Sequence, residues 1–178
     1  MTLRRANDLA AILHAYPDPP DIFVETGTFH GKTTRWAVKL FRQVHTIELQ
    51  EQWYAEAVRK LTPLGVRCYR GNSAEWVPRL VRMLEGEPVC WFLDAHFFHC
   101  VPGVAGKESP LPLWEELKAI ATRDTADIVI VDDVHAFGTS DPTPEWLDVS
   151  LERIAAYFPQ CREAKIIGDQ AVIYKAAR

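Results

Sequence analysis

The chain has 178 residues, of which 48% are hydrophobic, and carries a formal net charge of −4 at pH 7. That length can bury one sizeable core, so we expect a single domain over 1–178, and the acidic balance disfavours nucleic acid as a partner. The longest apolar runs are strand-sized and the four cysteines form no CxxC pair, so we expect a cytoplasmic protein with reduced thiols and no membrane partner.

Strand and helix patterns alternate through the first half of the chain. A leading amphipathic helix ends before Pro17, and together with a linker to residue 20 we expect it to cover the sheet or a ligand. Asn72 and Ser73 are both good N-caps for a later helix. The predicted order is helix 2–16, strand 22–26, helix 33–41, strand 43–49, helix 54–61, strand 66–71 and helix 72–84.

The second half contains two apolar strands that close on acids, and it ends on a hairpin with the turn Gly168-Asp169. The predicted order is strand 88–96, loop 97–111, helix 113–123, strand 127–133, loop 134–143, helix 144–158 and the two hairpin strands. This alternation predicts an α/β, Rossmann-like, doubly wound and mostly parallel sheet with helices on both faces. Ligands bind such sheets beyond the carboxyl ends of the strands.

The stretch 22–34, IFVETGTFHGKTT, predicts a strand, a tight loop and a helix start. Gly27 and Gly31 allow positive φ and a close approach of a ligand to the backbone. A phosphate loop needs four residues between its glycines and a lysine after the second, whereas here only three intervene. Glu25 at the strand end would also repel a triphosphate, so these residues favour a cationic ligand.

Glu25-x-Gly27-x-x-x-Gly31 resembles the E/D-x-G-x-x-x-G turn of the class I S-adenosylmethionine (SAM) dependent methyltransferases. The resemblance implies a seven-stranded sheet in the order 3-2-1-4-5-7-6 with strand seven antiparallel, and SAM as cofactor. It implies that Glu48 binds both ribose hydroxyls and that Asn72 and Ser73 contact the adenine. The implied cofactor-binding residues are Glu25, Thr26, Gly27, Thr28, Phe29, Gly31, Thr33, Thr34, Glu48, Asn72, Ser73 and Asp94.

Acids at the ends of strands four and five, in Asp94-Ala95-His96 and in the stretch 132–135, meet at one rim. They would repel each other unless a cation lay between them, either the sulfonium or a divalent metal, or else they cap loops. The chain also resembles metal-dependent small-molecule O-methyltransferases, which implies Mg²⁺ on Asp94, Asp132 and Asp133. The catechol-type enzymes have a lysine where this chain has Phe97. Either His96 or His135 can take the role of the base instead, so the candidate catalytic residues are Asp94, His96 and His135.

The sequence thus predicts a SAM-dependent methyltransferase, acting on oxygen of a small molecule, with magnesium assistance and a homodimer left open. Phe97, Phe98 and Phe137 either wall the substrate pocket or belong to the core. Three other functions stay open. They are a SAM or nucleoside-binding module without transfer activity, a P-loop-like nucleotide hydrolase using Lys32 and Asp132, and a hydroxylase-like enzyme with iron on Asp94 and His96.

Overall fold

A computed structural model of the chain describes residues 6–96, 111–141 and 143–177. The strands are β1 Ile22–Thr26, β2 Gln43–Glu48, β3 Arg67–Arg70, β4 Val89–Leu93, β5 Ile128–Val131, β6 Cys161–Ile167 and β7 Gln170–Lys175. The helices are α1 Ala6–His14, α2 Lys32–Ala37, α3 Glu51–Leu61, α4 Ser73–Met83, α5 Leu113–Ala121 and α6 Leu151–Ala155. Short 3₁₀ turns cover Thr62–Leu64, Val134–Ala136 and Pro144–Asp148.

The seven strands form one sheet in the order β3-β2-β1-β4-β5-β7-β6. Strands β1 to β5 pair in parallel, whereas β7 is antiparallel to both β5 and β6. The predicted fold class and strand order are confirmed. Because β1 and β4 lie side by side at the point where the strand order reverses, their carboxyl ends form the middle of the ligand-binding rim.

Two cores lie on opposite faces of the sheet. One contains apolar side chains of α4 and α5 packed on Ile22 and Val24, and the other contains those of α1, α2 and α3 packed on Phe23. Successive strand residues point to opposite faces. Glu25 therefore faces α2 and α3, whereas Thr26 faces α4 and α5, and this division decides what each side chain at the rim can reach.

Helix α1 covers the sheet. Its side chains Leu9 and Ile12 are buried in the second core, and the Tyr174 hydroxyl of β7 donates a hydrogen bond of 3.0 Å to the Ile12 carbonyl. The ring of Tyr16 stacks on that of Tyr174 at a centroid distance of 4.1 Å. Of the two roles predicted for the leading helix, the structure shows the packing on the sheet.

The prediction of one continuous helix over 144–158 is wrong, because only Leu151–Ala155 within that range is α-helical. Residues Pro144–Asp148 form a 3₁₀ turn, Val149 is extended with ψ 128°, and α6 starts only after Ser150. The Ser150 hydroxyl accepts a hydrogen bond from the Arg153 amide at 3.2 Å and so caps a new helix, while Leu147 is exposed. The predicted loop 134–143 contains a 3₁₀ turn, and residues 97–110 of the predicted loop 97–111, including Phe97 and Phe98, lie outside the described residues.

None of the helices within the described ranges combines the length and the apolar character needed to span a membrane.

Candidate active site

Gly27 directly follows β1 and has a left-handed conformation, with φ 82°. Its amide donates a hydrogen bond of 3.0 Å to the Ile47 carbonyl. A Cβ built on Gly27 would lie 2.2 Å from the carbonyl oxygen of Asp94, which is far inside contact distance. A glycine is therefore required here because the backbones of β1 and β4 touch at the rim, a close approach within the protein itself.

Gly31 has a similar explanation. It is the N-cap of α2 with φ 67°, and its amide donates to the Thr28 carbonyl at 2.7 Å. A Cβ there would lie 3.0 Å from a methyl group of Leu61, so the absent side chain lets α3 pack against the turn. Among the neighbouring threonines, Thr33 is half-buried and Thr34 is buried.

Glu25 is buried and satisfied by hydroxyl groups. Its Oε2 accepts hydrogen bonds from Thr34 at 2.5 Å and from Thr46 at 2.6 Å, and Thr28 shares a further hydroxyl contact with Thr46. Burial raises the pKa of Glu25 to about 8, although the two hydroxyl bonds oppose the shift. This shift favours the neutral carboxyl at pH 7, which weakens the repulsion that the sequence assigned to Glu25.

Glu48 lies at the carboxyl end of β2 and is held by two backbone amides. Its Oε2 accepts from Phe29 at 2.8 Å and its Oε1 from Gln50 at 2.9 Å. Burial raises its pKa, while these amide bonds oppose the shift. Phe29 has the positive φ of 45°, which is unusual outside glycine and aims its amide at Glu48. Each carboxylate oxygen keeps a second lone pair, so Glu48 can still accept from a ligand.

The predicted adenine contacts are used inside the protein. The Asn72 side chain caps α4 by accepting a hydrogen bond of 2.9 Å from the Ala74 amide. The hydroxyls of Ser73 and Thr26 hydrogen-bond to the buried carboxyl of Glu116 on α5. Both hydroxyls therefore point to the α4 and α5 face, where Glu116 lies.

A charged cluster of Asp94, His96 and Asp133 lies at the carboxyl ends of β4 and β5. The His96 Nε2 is 3.1 Å from Asp94 Oδ1 and also pairs with Asp133 Oδ2. Burial lowers the pKa of His96, but hydrogen bonds and charges of Asp133 and Asp94 outweigh it and raise that pKa well above its ordinary value. This shift favours the protonated, cationic form of His96, which lies between the two acids.

The two acids of the cluster respond differently to this arrangement. Burial raises the pKa of Asp94, and the His96 contact only partly offsets it. Burial acts in the same direction on Asp133, but the hydrogen bond and charge of His96 lower the pKa of that carboxyl below its ordinary value. Asp94 is consequently the stronger base of the pair, and its side chain is 29% exposed.

Asp132 does not join the cluster, so the predicted set of three aspartates is not formed. Its Oδ1 accepts a hydrogen bond of 2.7 Å from Gln170 of β7, and burial, with the charge of Asp94 adding to it, raises its pKa to about 7. The next residue, Asp133, is left-handed with φ 61°, which turns the two side chains apart. The grouped donors are two carboxylates and one imidazole, all within 4.8 Å of one another, whereas Mg²⁺ prefers oxygen ligands.

His135 is bound to the hairpin turn. Its Nδ1 lies 2.9 Å from Asp169 Oδ2, its amide donates to Asp169 Oδ1 at 2.9 Å, and its side chain is 68% exposed. It approaches Asp133 Oδ1 only to 3.8 Å. The Phe137 ring packs on that of Trp146 at 5.9 Å. His135 thus lies at the edge of the cluster, with Asp169 as its main partner.

The sequence analysis missed Glu116 and Trp146. Both are buried, and with His96 they line a cavity beside the cluster. The sequence does contain a signal for Glu116. It is a charged residue on the apolar face that Leu113, Leu117 and Ile120 form on one amphipathic helix. The cavity is lined by Leu93, Ala95, His96, Leu111, Leu113, Glu116, Val131 and Trp146.

Comparison of the sequence with protein-family models and with curated proteins gives no match. Solved structures do resemble the fold. A protein of Streptococcus mutans assigned as a methyltransferase and solved with SAH aligns over 97% of this chain and 98% of that chain at 15% identity, with a TM-score of 0.64. TomG of Streptomyces achromogenes, an O-methyltransferase involved in tomaymycin synthesis and solved with SAM, aligns over 96% and 78% at 19% identity, with a TM-score of 0.59.

A protein of Clostridium thermocellum assigned as an rRNA methylase aligns over 100% of both chains at 14% identity, with a TM-score of 0.65. The chain therefore has the fold of the class I SAM-dependent methyltransferases, as the sequence predicted.

Proposed function

We propose that the protein is a SAM-dependent methyltransferase that methylates an oxygen atom of a small molecule. The observation that carries the proposal is the position of the Asp94–His96–Asp133 cluster, directly against the Gly27 turn at the carboxyl ends of the strands. In a sheet of this topology that rim is where ligands bind. A fixed acid at β2 and a charged cluster at β4 and β5 thus lie along the same rim.

Glu48 is the residue that we assign to the cofactor. Its two amide bonds fix the carboxylate without using all of its lone pairs, so it can accept from two neighbouring hydroxyls such as those of a ribose. Its pairing with Phe29 also couples the Gly27 turn to β2. SAM, when bound, supplies a methyl group that is activated by the positive charge on sulfur.

Asp94 is the residue that we assign as the general base, which accepts the proton of the methyl acceptor. The acceptor oxygen forms the new bond to the methyl carbon while the bond between that carbon and sulfur breaks, and the hydroxyl proton moves to Asp94. Its raised pKa makes this carboxylate a better base than an ordinary aspartate, and its exposed fraction leaves it open to the rim. His96, held by Asp133 as well, keeps Asp94 in place.

No step of this reaction runs through magnesium. We assign to His96 the role that the sequence gave to a metal, which is to separate the acids, because the donor set of Asp94, His96 and Asp133 fits Mg²⁺ poorly. RNA is also a poor acceptor for this chain, because its net charge of −4 and the acids at the rim repel a polyanion. These features favour a small acceptor.

The test is a transfer assay with SAM and mass-spectrometric detection of SAH, the demethylated product, against a panel of small phenols and alcohols and against rRNA. We expect SAH with small hydroxyl compounds and none with rRNA. Asp94→Asn should lose this activity, whereas Asp18→Asn, a matched change at an exposed aspartate, should keep it. SAH formed only with rRNA would overturn the small-molecule assignment, and SAM binding without any SAH would favour a binding module.

A further inference from the structure

Glu116 is a buried acid with one oxygen left unused. Its exposed fraction is 1%, and its Oε1 has no hydrogen-bond partner, although the nearby hydroxyls of Ser73 and Thr26 lower the pKa of the carboxyl. Buried polar atoms are nearly always hydrogen-bonded, because leaving one unpaired destabilises a protein. Glu116 therefore holds a buried acceptor oxygen among the buried apolar residues Leu113, Leu117 and Ile120 of α5.

The free oxygen belongs to a residue that lines a cavity with otherwise mostly apolar walls. Leu93, Leu113, Val131 and Trp146 form much of the wall, and the space holds about one water-sized group. The cavity adjoins the Asp94–His96–Asp133 cluster, because His96 is a member of both. A small polar group of a ligand can therefore enter here while the rest of that ligand lies at the rim.

The charges around this cavity favour a positive group. Among the described residues that line it, His96 is the one basic side chain, and it is already paired with Asp94 and Asp133. Burial, reinforced by the charge of Asp94, raises the pKa of Glu116 to about 7 against the two hydroxyl bonds, so above neutral pH the carboxylate form predominates. The aromatic ring of Trp146 in the wall adds a surface that attracts cations.

We propose that the Glu116 cavity is a subsite for the ammonium group of a small amine, and that the methyl acceptor carries this group. An ammonium nitrogen is about the size of a water molecule, donates hydrogen bonds and supplies a positive charge to pair with the Glu116 carboxylate. A carboxylate or phosphate is larger and is repelled by that carboxylate. The assignment to the acceptor rests on the proposed function. It makes the substrate a hydroxylated amine whose oxygen faces Asp94 when its nitrogen contacts Glu116.

SAM also carries an ammonium group, but the position of the cavity favours the acceptor. Leu93 and Val131 place the cavity at β4 and β5, whereas Glu48 ends β2. In the strand order, β2 and β5 are separated by three strand spacings, which is about 14 Å. The acceptor therefore has the shorter path to Glu116, on the side of the cluster away from Glu48.

The experiment titrates n-propylammonium chloride into the full chain at pH 8, followed by NMR chemical shifts, with and without saturating SAH. Sodium chloride at equal ionic strength and 1-propanol, the neutral analogue, are the reference ligands. We expect propylammonium to bind both forms of the protein and 1-propanol to bind at least about tenfold more weakly, as for the loss of a charged hydrogen bond. SAH that displaces propylammonium would overturn the assignment to the acceptor.

Three variants make the test specific. Glu116→Gln keeps the shape and the contacts to Ser73 and Thr26, and it should weaken propylammonium at least about tenfold without changing SAH affinity. Glu115→Gln, the exposed neighbour on α5, should leave it unchanged. Val131→Ile adds one methyl group to the cavity wall and leaves Glu116 intact, so it should also weaken propylammonium binding. This variant tests the site if Glu116→Gln does not fold.

Equal binding of 1-propanol, or propylammonium affinity that is the same in Glu116→Gln and Val131→Ile as in the parent, would overturn the ammonium site. Absence of any propylammonium binding would do the same. A parent chain that binds propylammonium through Glu116 but does not bind SAH would support the ammonium site and count against the proposed function. The two proposals therefore fail in distinguishable ways.

Discussion

The two halves of the rim treat their acids in opposite ways. On the β1 and β2 side, Glu25 and Glu48 receive hydrogen bonds from threonine hydroxyls and backbone amides, so each oxygen used there has a fixed partner. On the β4 and β5 side, Asp94 and Asp133 share one imidazole, and Glu116 keeps an unpaired oxygen. The acids of the first half are held in fixed positions by hydrogen bonds. The second half brings together charged side chains that can take part in proton transfer.

This difference assigns a task to each half. An acid fixed by amides loses little freedom when it binds a cofactor, which suits Glu48. An acid with a raised pKa near a cation suits proton transfer, which requires a group that changes its charge. Gly27 joins the halves, because the end of β1 rests on the Asp94 backbone. Substitutions on one side should therefore change binding and those on the other side should change rate.

Asp94→Asn is expected to have the largest effect. Asparagine keeps the shape but accepts no proton, and loss of a general base usually lowers a rate by about 100-fold to 10,000-fold. SAM affinity should change little, because Glu48 and the Gly27 turn are untouched. Single-turnover rates with a saturating acceptor, combined with SAM calorimetry, measure both quantities. A variant that loses SAM affinity and keeps its rate would reverse the assignment of the two halves.

Gly27→Ala should come next, through the contact between the halves. A Cβ in a left-handed backbone is unfavourable by about 1 to 2 kcal/mol, and the clash with Asp94 adds about 1 to 3 kcal/mol. Gly65→Ala is the matched control, since Gly65 has φ 85° and no atom within 4 Å of its Cβ position. Denaturant unfolding should show a loss for Gly27→Ala that exceeds the loss for Gly65→Ala. Equal losses would mean that the strand ends separate easily.

Glu25→Gln should change how stability depends on pH. Burial raises the pKa of Glu25 to about 8 from an ordinary value of 4.5, so the folded protein holds a proton that the unfolded chain releases. Stability from this group is therefore present at low pH and is lost as pH rises from 4.5 through about 8, by up to about 1.4 kcal/mol per unit. Unfolding curves across this range should show a shallower slope for Glu25→Gln. A parallel slope would show that Glu25 is ionised in the fold.

Added magnesium should not change the thermal stability of the protein, which is the smallest of the expected effects. A cation bound to the native state at 100 times its dissociation constant would add about 2.7 kcal/mol of stability. With His96 between Asp94 and Asp133, we expect the same melting temperature in magnesium and in chelator, with SAM present in both. Magnesium stabilisation of the parent that disappears in Asp133→Asn would show that the two carboxylates hold the metal.

The strands and their order were predictable because their signals are local and strong. Apolar runs that end in acids are typical of buried parallel strands, and Gly168-Asp169 between two apolar runs is typical of a hairpin. The family resemblance supplied the strand order, which the pattern alone did not. The prediction of a helix over 144–158 was wrong because the Ser150 side chain hydrogen-bonds to the backbone and caps a new helix there. The apolar spacing continues through this position, so the sequence pattern gave no sign of the break.

Side-chain directions at the rim were not predictable from the sequence. Glu25 and Thr26 are neighbours in the sequence, yet their side chains face opposite cores. The Thr26 hydroxyl therefore lies near the Glu116 carboxyl, as Ser73 does, whereas Glu25 accepts a hydrogen bond from Thr34. Asp132 and Asp133 are separated by the left-handed backbone of Asp133, which no composition rule indicates for an aspartate followed by valine. The prediction that Glu48 binds ribose stays a prediction, although its fixed position agrees with it.

Calorimetric titration of SAM into the parent and into Glu48→Gln tests the central claim most directly. Glutamine keeps the size of the side chain but loses the charge that accepts hydroxyl bonds, so its SAM affinity should fall by roughly tenfold to a hundredfold. Glu51→Gln, at an exposed glutamate at the start of α3, should bind SAM like the parent. A parent chain that binds SAM, with Glu48→Gln weakened, is the result that we predict. Absence of SAM binding by the parent, or equal affinity in Glu48→Gln, would contradict the account.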